Sequence, residues 1–349
     1  MIRHTGTVVL SLLSIIVAAT AAATASAQGK CFYAPDNLRS GGNVIPFGST
    51  KGAISTWGRQ RYQALVLPAD VNNLPINITS LAVGGGGTGI RRYASMMIRF
   101  DYFRGSGTAL STTFSNNMSK SPTTVLDVKD FAWYQVGGQW NRLGLQKPFQ
   151  YIPQLGSLVV EVIVTGAYFE GSSGAGLYNT SLRPRLYNFR WPSSTPPATG
   201  TVGSTAAIRM QLCDGDPDLS RYGEGCVGSN KSTPELAVSG SASLGKKVIL
   251  NLANVLATTP TFLALALTTF PVPVDLAIVN APGCRIYHPQ TILTTVVTTA
   301  AGGYSATFTT PTTAAAVGVA VYVQSFPRDP TANGLGLTAS NYVRVLIGN

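Results

Sequence analysis

Past residue 27 this chain has no window in which apolar residues recur at i, i+3, i+4 and i+7, so nothing in it is patterned as an amphipathic helix. The pattern that does recur has period two. Leu158, Val160, Val162 and Val164 share one side of a strand while Val159, Glu161 and Ile163 share the other, which predicts a strand covered on both faces. Met96, Ile98, Phe100 and Tyr102 repeat the alternation, and Ile76 to Val83 makes another run. Farther on, 247–252, 262–267, 291–297, 304–308, 317–323 and 342–347 read as strands, divided by Pro271 and Pro273, Pro282-Gly283, Gly302-Gly303 and Asn333-Gly334. Only 11% of residues are charged, which starves helices of Glu, Lys and Arg, whereas β-branched residues abound. The expected fold class is all-β: two β-sandwich modules, jelly-roll or immunoglobulin-like, joined by a short polar linker.

Residues 1–27 read as a signal peptide for export. Arg3 and His4 give a basic start, Val8 to Ala19 is apolar except for Ser11 and Ser14, and Ala25-Ser26-Ala27 matches a cleavage site. The apolar run is shorter than the roughly 20 residues a membrane-spanning helix needs. The expectation is a mature chain beginning near Gln28, secreted or at the cell surface, with no membrane span after cleavage. All four cysteines, Cys31, Cys213, Cys226 and Cys284, fall in the exported part, where an oxidising compartment favours disulfides. Three pairings are open. Cys31–Cys213 with Cys226–Cys284 is preferred because each bond then closes one module, stabilising it by roughly 4–5 kcal/mol on a chain-entropy argument. The rival Cys213–Cys226 would staple the stretch between modules. A metal site from these cysteines is disfavoured, since no C-x-x-C occurs and His288 is the sole histidine after the signal.

Gln211 to Cys226 is where the chain changes character. It carries Asp214, Asp216, Asp218 and three glycines with little to bury, and is read as an Asp/Gly-rich linker over 214–225 between modules 28–213 and 226–349. The aspartates have the 1-3-5 spacing that opens an EF-hand calcium loop, but position 6 is Leu219, position 12 is Gly225, and Glu224 falls one residue early. Calcium held by Asp214, Asp216, Asp218 and Glu224 is the one cofactor brought into view, against a plain polar linker. Net charge is +11, and nearly all of the excess lies in 28–213, which makes that module the better contact for an acidic partner.

Tyr222-Gly-Glu-Gly-Cys-Val-Gly-Ser229, Pro282-Gly-Cys284, Val321-Tyr-Val-Gln324 and Asn333-Gly-Leu-Gly-Leu-Thr-Ala-Ser-Asn341, with Arg344 and Gly348, form a recognisable set. They resemble a C-terminal module recurring in secreted proteins of planctomycete-type bacteria, over roughly 221–349. Val44-Ile-Pro-Phe-Gly48, Arg61-Tyr-Gln63 and Gly156-Ser-Leu-Val-Val-Glu161 resemble, more loosely, the N-terminal partner found in such exoproteins. The resemblance implies β-sandwich folds, export and a Cys226–Cys284 bond. It implies no activity and no catalytic residue.

Gly84 to Gly89 satisfies G-x-G-x-x-G after a strand, but a dinucleotide site needs a helix next and the sequence continues strand-like. A hairpin loop is the reading, with Arg91 and Arg92 placed to meet an anion. Arg183, Arg185, Arg190 and, nearby, Arg209 lie among Tyr187, Phe189 and Trp191, while Trp133 and Trp140 add a second aromatic group. Aromatic faces stack on sugars and guanidinium pairs with carboxylate or sulfate, so an acidic glycan or another cell-surface polymer suits these residues. Export speaks against nucleic acid. Tyr187, Phe189 and Trp191 on one side of a strand, opposite Leu186, Asn188 and Arg190, also describe an ordinary core.

Catalysis is poorly served. A Ser-His-Asp or Cys-His set would depend on His288, next to Pro289, and neither G-x-S-x-G nor H-E-x-x-H occurs. A carboxylate pair for glycoside cleavage would have to come from Asp101, Asp127, Glu161 and Glu170, of which Asp101 and Glu161 are expected to pair with arginines on neighbouring strands. The sequence points to a secreted, non-enzymatic structural or adhesive protein, with carbohydrate binding through the N-terminal half as the alternative and glycan cleavage third.

Overall fold

The computed structural model describes residues 30–192, 194–204 and 206–349; the expected signal peptide, 1–27, lies outside them. The described chain is built of strands with a few short helical turns, and it divides into two compact units, Lys30–Asp214 and Gly215–Asn349.

In the first unit the strands run β1 (Lys30–Ala34), β2 (Gln60–Val66), β3 (Ile76–Gly84), β4 (Gly89–Tyr102) and β5 (Thr123–Gln135). They continue with β6 (Trp140–Tyr151), β7 (Leu158–Thr165), β8 (Tyr168–Gly171), β9 (Asn179–Thr180) and β10 (Arg185–Phe189). β11 (Thr201–Gly203), β12 (Ala207–Ile208) and β13 (Met210–Asp214) complete it. One sheet has the order β11-β10-β2-β7-β4-β5, with β8 also on β4; a second has the order β1-β13-β3-β6; β9 and β12 pair separately.

The period-two reading of β7 decides the layering. Val162 lies opposite Tyr62 of β2 on one side and Ile98 of β4 on the other, and all three are fully buried. The sheets meet through Phe100 and Phe149, whose rings stand edge-to-face at 5.5 Å, flanked by Tyr102 and Tyr151. The other face of β7 is covered too, by Leu110, Phe114 and Met118 packed on Leu65, Val159 and Leu186. Each fully buried Val or Leu side chain contributes roughly 1.5–3 kcal/mol, so coverage on both faces makes β7 the anchor of the unit. Cys31 and Cys213 are directly opposite in the β1–β13 register and are joined by a disulfide, as preferred from the sequence.

The glycine run 84–89 does not close a hairpin. β3 belongs to the second sheet and β4 to the first, so the run carries the chain across the sandwich. It is tied on the way by the Tyr178 and Gly138 N–H groups, which donate to the Gly84 and Gly85 carbonyls at 2.8 Å each. A Cβ at Gly84 would stand 2.4 Å from the Tyr178 ring, so close packing, not phosphate binding, requires glycine there.

The second unit holds β14 (Asp218–Tyr222), β15 (Glu235–Gly240), β16 (Lys247–Ala253), β17 (Pro260–Ala266) and β18 (Val274–Asp275). After them come β19 (Arg285–Ile286), β20 (Ile292–Val297), β21 (Tyr304–Thr309), β22 (Ala320–Pro327) and β23 (Tyr342–Leu346). Within the unit β14-β23-β22-β17-β20 follow one another in a sheet, β15-β16-β21 form another, and β18 pairs with β19. Leu236, Val248, Leu250 and Leu252 of the smaller sheet pack against Leu265, Val321, Val323, Val343 and Val345 of the larger, as in a sandwich. Cys226 and Cys284 form the second disulfide, among Ala264, Ala281, Phe326 and Ala339.

Residues 214–225 differ from the expected linker. Asp214 ends β13, and Asp218–Tyr222 is a strand paired residue by residue with β23, from Asp218 opposite Leu346 to Tyr222 opposite Tyr342. The segment looked too polar to bury, but Arg344 donates to Asp218 at 3.1 Å, Leu219 packs on the core and the Tyr222 ring lies 5.5 Å from that of Tyr342.

His288 is fully buried, with Nδ1 3.1 Å from the Pro289 carbonyl oxygen, and burial holds its pKa below the usual histidine value. The unfolded chain therefore takes up a proton near pH 6.5 that the folded chain resists. Stability is expected to be full above pH 6.5 and to fall as pH drops, by up to about 1.4 kcal/mol per pH unit, until the folded-state pKa is passed. Urea melts from pH 7.5 to 4.5 should show the wild-type curve steeper than that of His288→Gln over this window.

Candidate functional site

The arginine–aromatic segment forms a row on β10. Arg185, Tyr187 and Phe189 project to one side of the strand, as period two requires, on the same face as Ala64, Tyr62 and Gln60 of β2. The Arg185 guanidinium lies 4.4 Å from the Tyr187 ring centre. The Tyr187 and Phe189 rings are stacked at 6.2 Å and 10°. Phe189 stacks in turn on Trp57 at 4.7 Å and 28°. All four are partly exposed. Arg185 Nε and Nη1 are buried and have no partner among the described residues.

Trp191 is not part of the row. Arg190 takes a left-handed conformation, φ 61°, which breaks the alternation one residue after the strand. The kink is held by Arg59: its carbonyl accepts the Arg190 N–H at 3.0 Å, and its guanidinium donates to the Trp191 and Pro192 carbonyls. Trp191 is turned inward and 7% exposed, and Trp57, from the short helix Ile54–Trp57, stands on Phe189 instead. Sequence reasoning missed Trp57, which lies 132 positions from Phe189 and has no motif around it.

The other residues singled out from the sequence are placed elsewhere. Trp133 is 1% exposed, edge-on to Phe47, and Trp140 is partly exposed between Tyr33 at 5.2 Å and Tyr178 at 6.0 Å. Arg190 is exposed at the kink. Arg183 donates to Asp70 at 2.8 Å, and Arg209 to Asp36 at 2.6 Å. Those two carboxylates line an open groove of about 510 Å³ with Tyr33, Asn37 and Asn72. Burial raises the Asp70 pKa, against the pull of the Leu67 N–H and of Arg183.

Arg91, expected near an anion, is enclosed. Its Nε donates to Gln135 Oε1 at 2.8 Å, and its other nitrogens donate to the Phe47, Gly48 and Ala175 carbonyls. Burial brings its pKa down to about 10, so it stays a cation at neutral pH. Arg92 pairs with Glu170. Glu161 has no exposure and is gripped from both neighbouring strands: Arg61 donates to Oε1, Arg99 donates to Oε2 at 2.6 Å, and Gln63 adds a third donor. Asp101 accepts the Tyr102 and Ser119 N–H groups.

Of the carboxylates considered for calcium, Asp214 belongs to the first unit, with its pKa raised by burial, and accepts the Asn77 N–H. In the second unit Asp218 accepts from Ser220 and Arg344. Burial pulls the Arg344 pKa down, but Tyr322, Asp218 and Tyr222 outweigh it and hold the guanidinium above its usual value. A cation of the protein's own thus already faces Asp218. At Glu224 the backbone N–H and carbonyl are both bound by the Tyr287 hydroxyl, at 2.8 and 2.9 Å.

No family model and no characterised protein sequence matches the chain. Among solved structures it is similar to a β-glucuronidase of Bifidobacterium dentium complexed with coumarin-3-O-glucuronide, at 7% identity and a TM-score of 0.18. That likeness covers 91% of this chain and 48% of the glucuronidase, so the chain spans about half of that protein, and at such a score it carries no argument for fold or activity.

Proposed function

We propose that this is an extracytoplasmic structural or adhesive protein made of two β-sandwiches, the first jelly-roll-like and the second immunoglobulin-like, which works by contact rather than by turnover. The observation that carries the reading is the state of Glu161. A carboxylate without exposure, bound by two arginines and a glutamine from adjacent strands, is fixed as a structural anion and has no room for substrate. His288, likewise fully buried, offers no general base at a surface. The two disulfides are compatible with life outside the cytoplasm. Among the described residues no helix is long and apolar enough to cross a membrane, which says nothing about strands. Incubation of the purified protein with a panel of acidic and neutral polysaccharides is expected to release no new reducing ends. Release that rises in proportion to added protein would overturn the reading.

The Arg185 row favours a second reading within the same class, recognition of an acidic glycan. Stacked, partly exposed rings suit contact with sugars, and the partly exposed Arg185 guanidinium beside Tyr187 places a positive charge where a uronate or sulfate would meet it. Calorimetric titration with a uronic-acid or sulfated oligosaccharide is expected to show binding that Trp57→Ala and Arg185→Ala each weaken by about tenfold, the scale of one stacking or charge-assisted contact. Binding left unchanged by both variants would place the contact elsewhere.

A further inference from the structure

β20 is the last strand of its sheet: among the described residues it pairs with β17 alone, Leu265 opposite Ile292 through Pro260 opposite Val297, with no bulge. Alternate backbone N–H and C=O groups of such a strand point away from its single neighbour. Natural edges are guarded by lysine, proline, a bulge or a covering loop, because an open row of donors and acceptors is a template for another strand. β20 has none of the side-chain guards. Its sequence is Ile-Leu-Thr-Thr-Val-Val, and the chain carries no Asp, Glu, Lys or Arg between Arg285 and Arg328. Its outward residues include Leu293 and Val297, 52% and 57% exposed. By contrast β21, which ends the facing sheet, exposes Ser305, Thr307 and Thr309.

We propose that β20 is a self-association edge and that its partner is β20 of a second copy of this chain, paired antiparallel about Thr295. The register follows from the pattern of exposure. In an antiparallel pair, directly opposite residues share a face, so two copies keep their outward residues on one side only if the paired residue numbers have an even sum. Centring the pair on Thr295 places Leu293 opposite Val297 of the partner subunit, and Val297 opposite Leu293 of the partner subunit. The most exposed apolar side chains of the strand then cover each other on either side of a threonine–threonine pair, a favourable cross-strand arrangement. Centring on Thr294 instead would set Leu293 against a threonine and leave Val297 beyond the strand's end. The arrangement is isologous, as a two-fold dimer requires, and it closes: each copy spends its one β20 edge. The contact is a single strand long, so the association belongs with the weak, reversible class. It is independent of the glycan reading, which concerns the other unit.

Sedimentation velocity over a concentration series of the disulfide-intact protein is expected to show a reversible monomer–dimer equilibrium. Thr295→Lys sets two like charges directly opposite each other at the centre of the pair and should weaken the dimer by about tenfold or more. Thr295→Cys, an exposed position, should form a reducible cross-linked dimer on mild oxidation; Leu293→Cys alone should not, but mixed with Val297→Cys it should. A protein that stays monomeric throughout the series would overturn the proposal. So would a dimer unaffected by Thr295→Lys, or one that Thr295→Cys fails to trap.

Discussion

Arg91→Met is expected to destabilise the Lys30–Asp214 unit by about 3–5 kcal/mol, the scale set by stranding several buried acceptors at once. In a unit of this size that lowers the melting temperature by about 10 °C. Methionine replaces most of the side-chain volume, so the loss reports the polar contacts and not a cavity. Four acceptors are stranded together: Gln135 Oε1 and the carbonyls of Phe47, Gly48 and Ala175, which come from three separate parts of the chain. Each buried group left without its partner costs about 1–3 kcal/mol, partly recovered where water or a rearranged backbone reaches it. The guanidinium also lies 4.9 Å from the Phe169 ring centre, a contact the thioether reproduces only in part. Arg91→Lys should fall between wild type and Arg91→Met, since an ammonium keeps the charge but cannot reach four acceptors in the plane of a guanidinium. Thermal melts of the three proteins at one pH provide the comparison.

Arg91 also shows where the sequence was opaque. Beside a glycine run, two adjacent arginines look like an exposed anion contact, because nothing local reveals that the loops at 47–48 and 175 fold over one of them. The strands were legible for the opposite reason. Alternation along Leu158 to Val164 is a local signal, and the burial of both faces of β7 was readable from Val159, Glu161 and Ile163 together. The Cys31–Cys213 and Cys226–Cys284 pairs were legible as a preference, since each keeps its loop inside one unit.

β14 was hidden because its first residue is an aspartate whose charge is met by Arg344, 126 positions away, so the strand is apolar enough only in the company of β23. The row on β10 was legible as far as Phe189 and then misled. Extending period two through Arg190 counted Trp191 as its next member, but a left-handed residue ended the strand and Trp57 took that place. The glycine run 84–89 likewise showed a sharp change of direction but not that its two flanking strands join different sheets. Local period and turn chemistry were thus readable, and long-range charge pairing and sheet assignment were not.

Glu161 is the position where a structural and a catalytic carboxylate give opposite results. Glu161→Ala is expected to cost about 3–5 kcal/mol, because Arg61 and Arg99 are then left facing each other across the site with no anion between them. Glu161→Gln keeps the shape but turns an acceptor into an amide donor toward a guanidinium, and should retain only part of the stability. The triple variant Arg61→Met, Arg99→Met, Glu161→Leu should recover much of what Glu161→Ala loses. With all three charges gone no buried charge is left unpaired, the Gln63 amide keeps its bond to the Phe114 carbonyl, and the site adjoins the apolar layer of Leu65, Phe114 and Val159. Denaturant midpoints of these variants make the distinction. If Glu161→Ala kept full stability, the carboxylate would not be the structural anion on which the contact reading depends, and a role at a surface would have to be sought for it. If instead the single change unfolds the unit and the triple change restores it, the charge is there to hold β2, β7 and β4 in register, and the work of the protein lies on its exposed faces and edges.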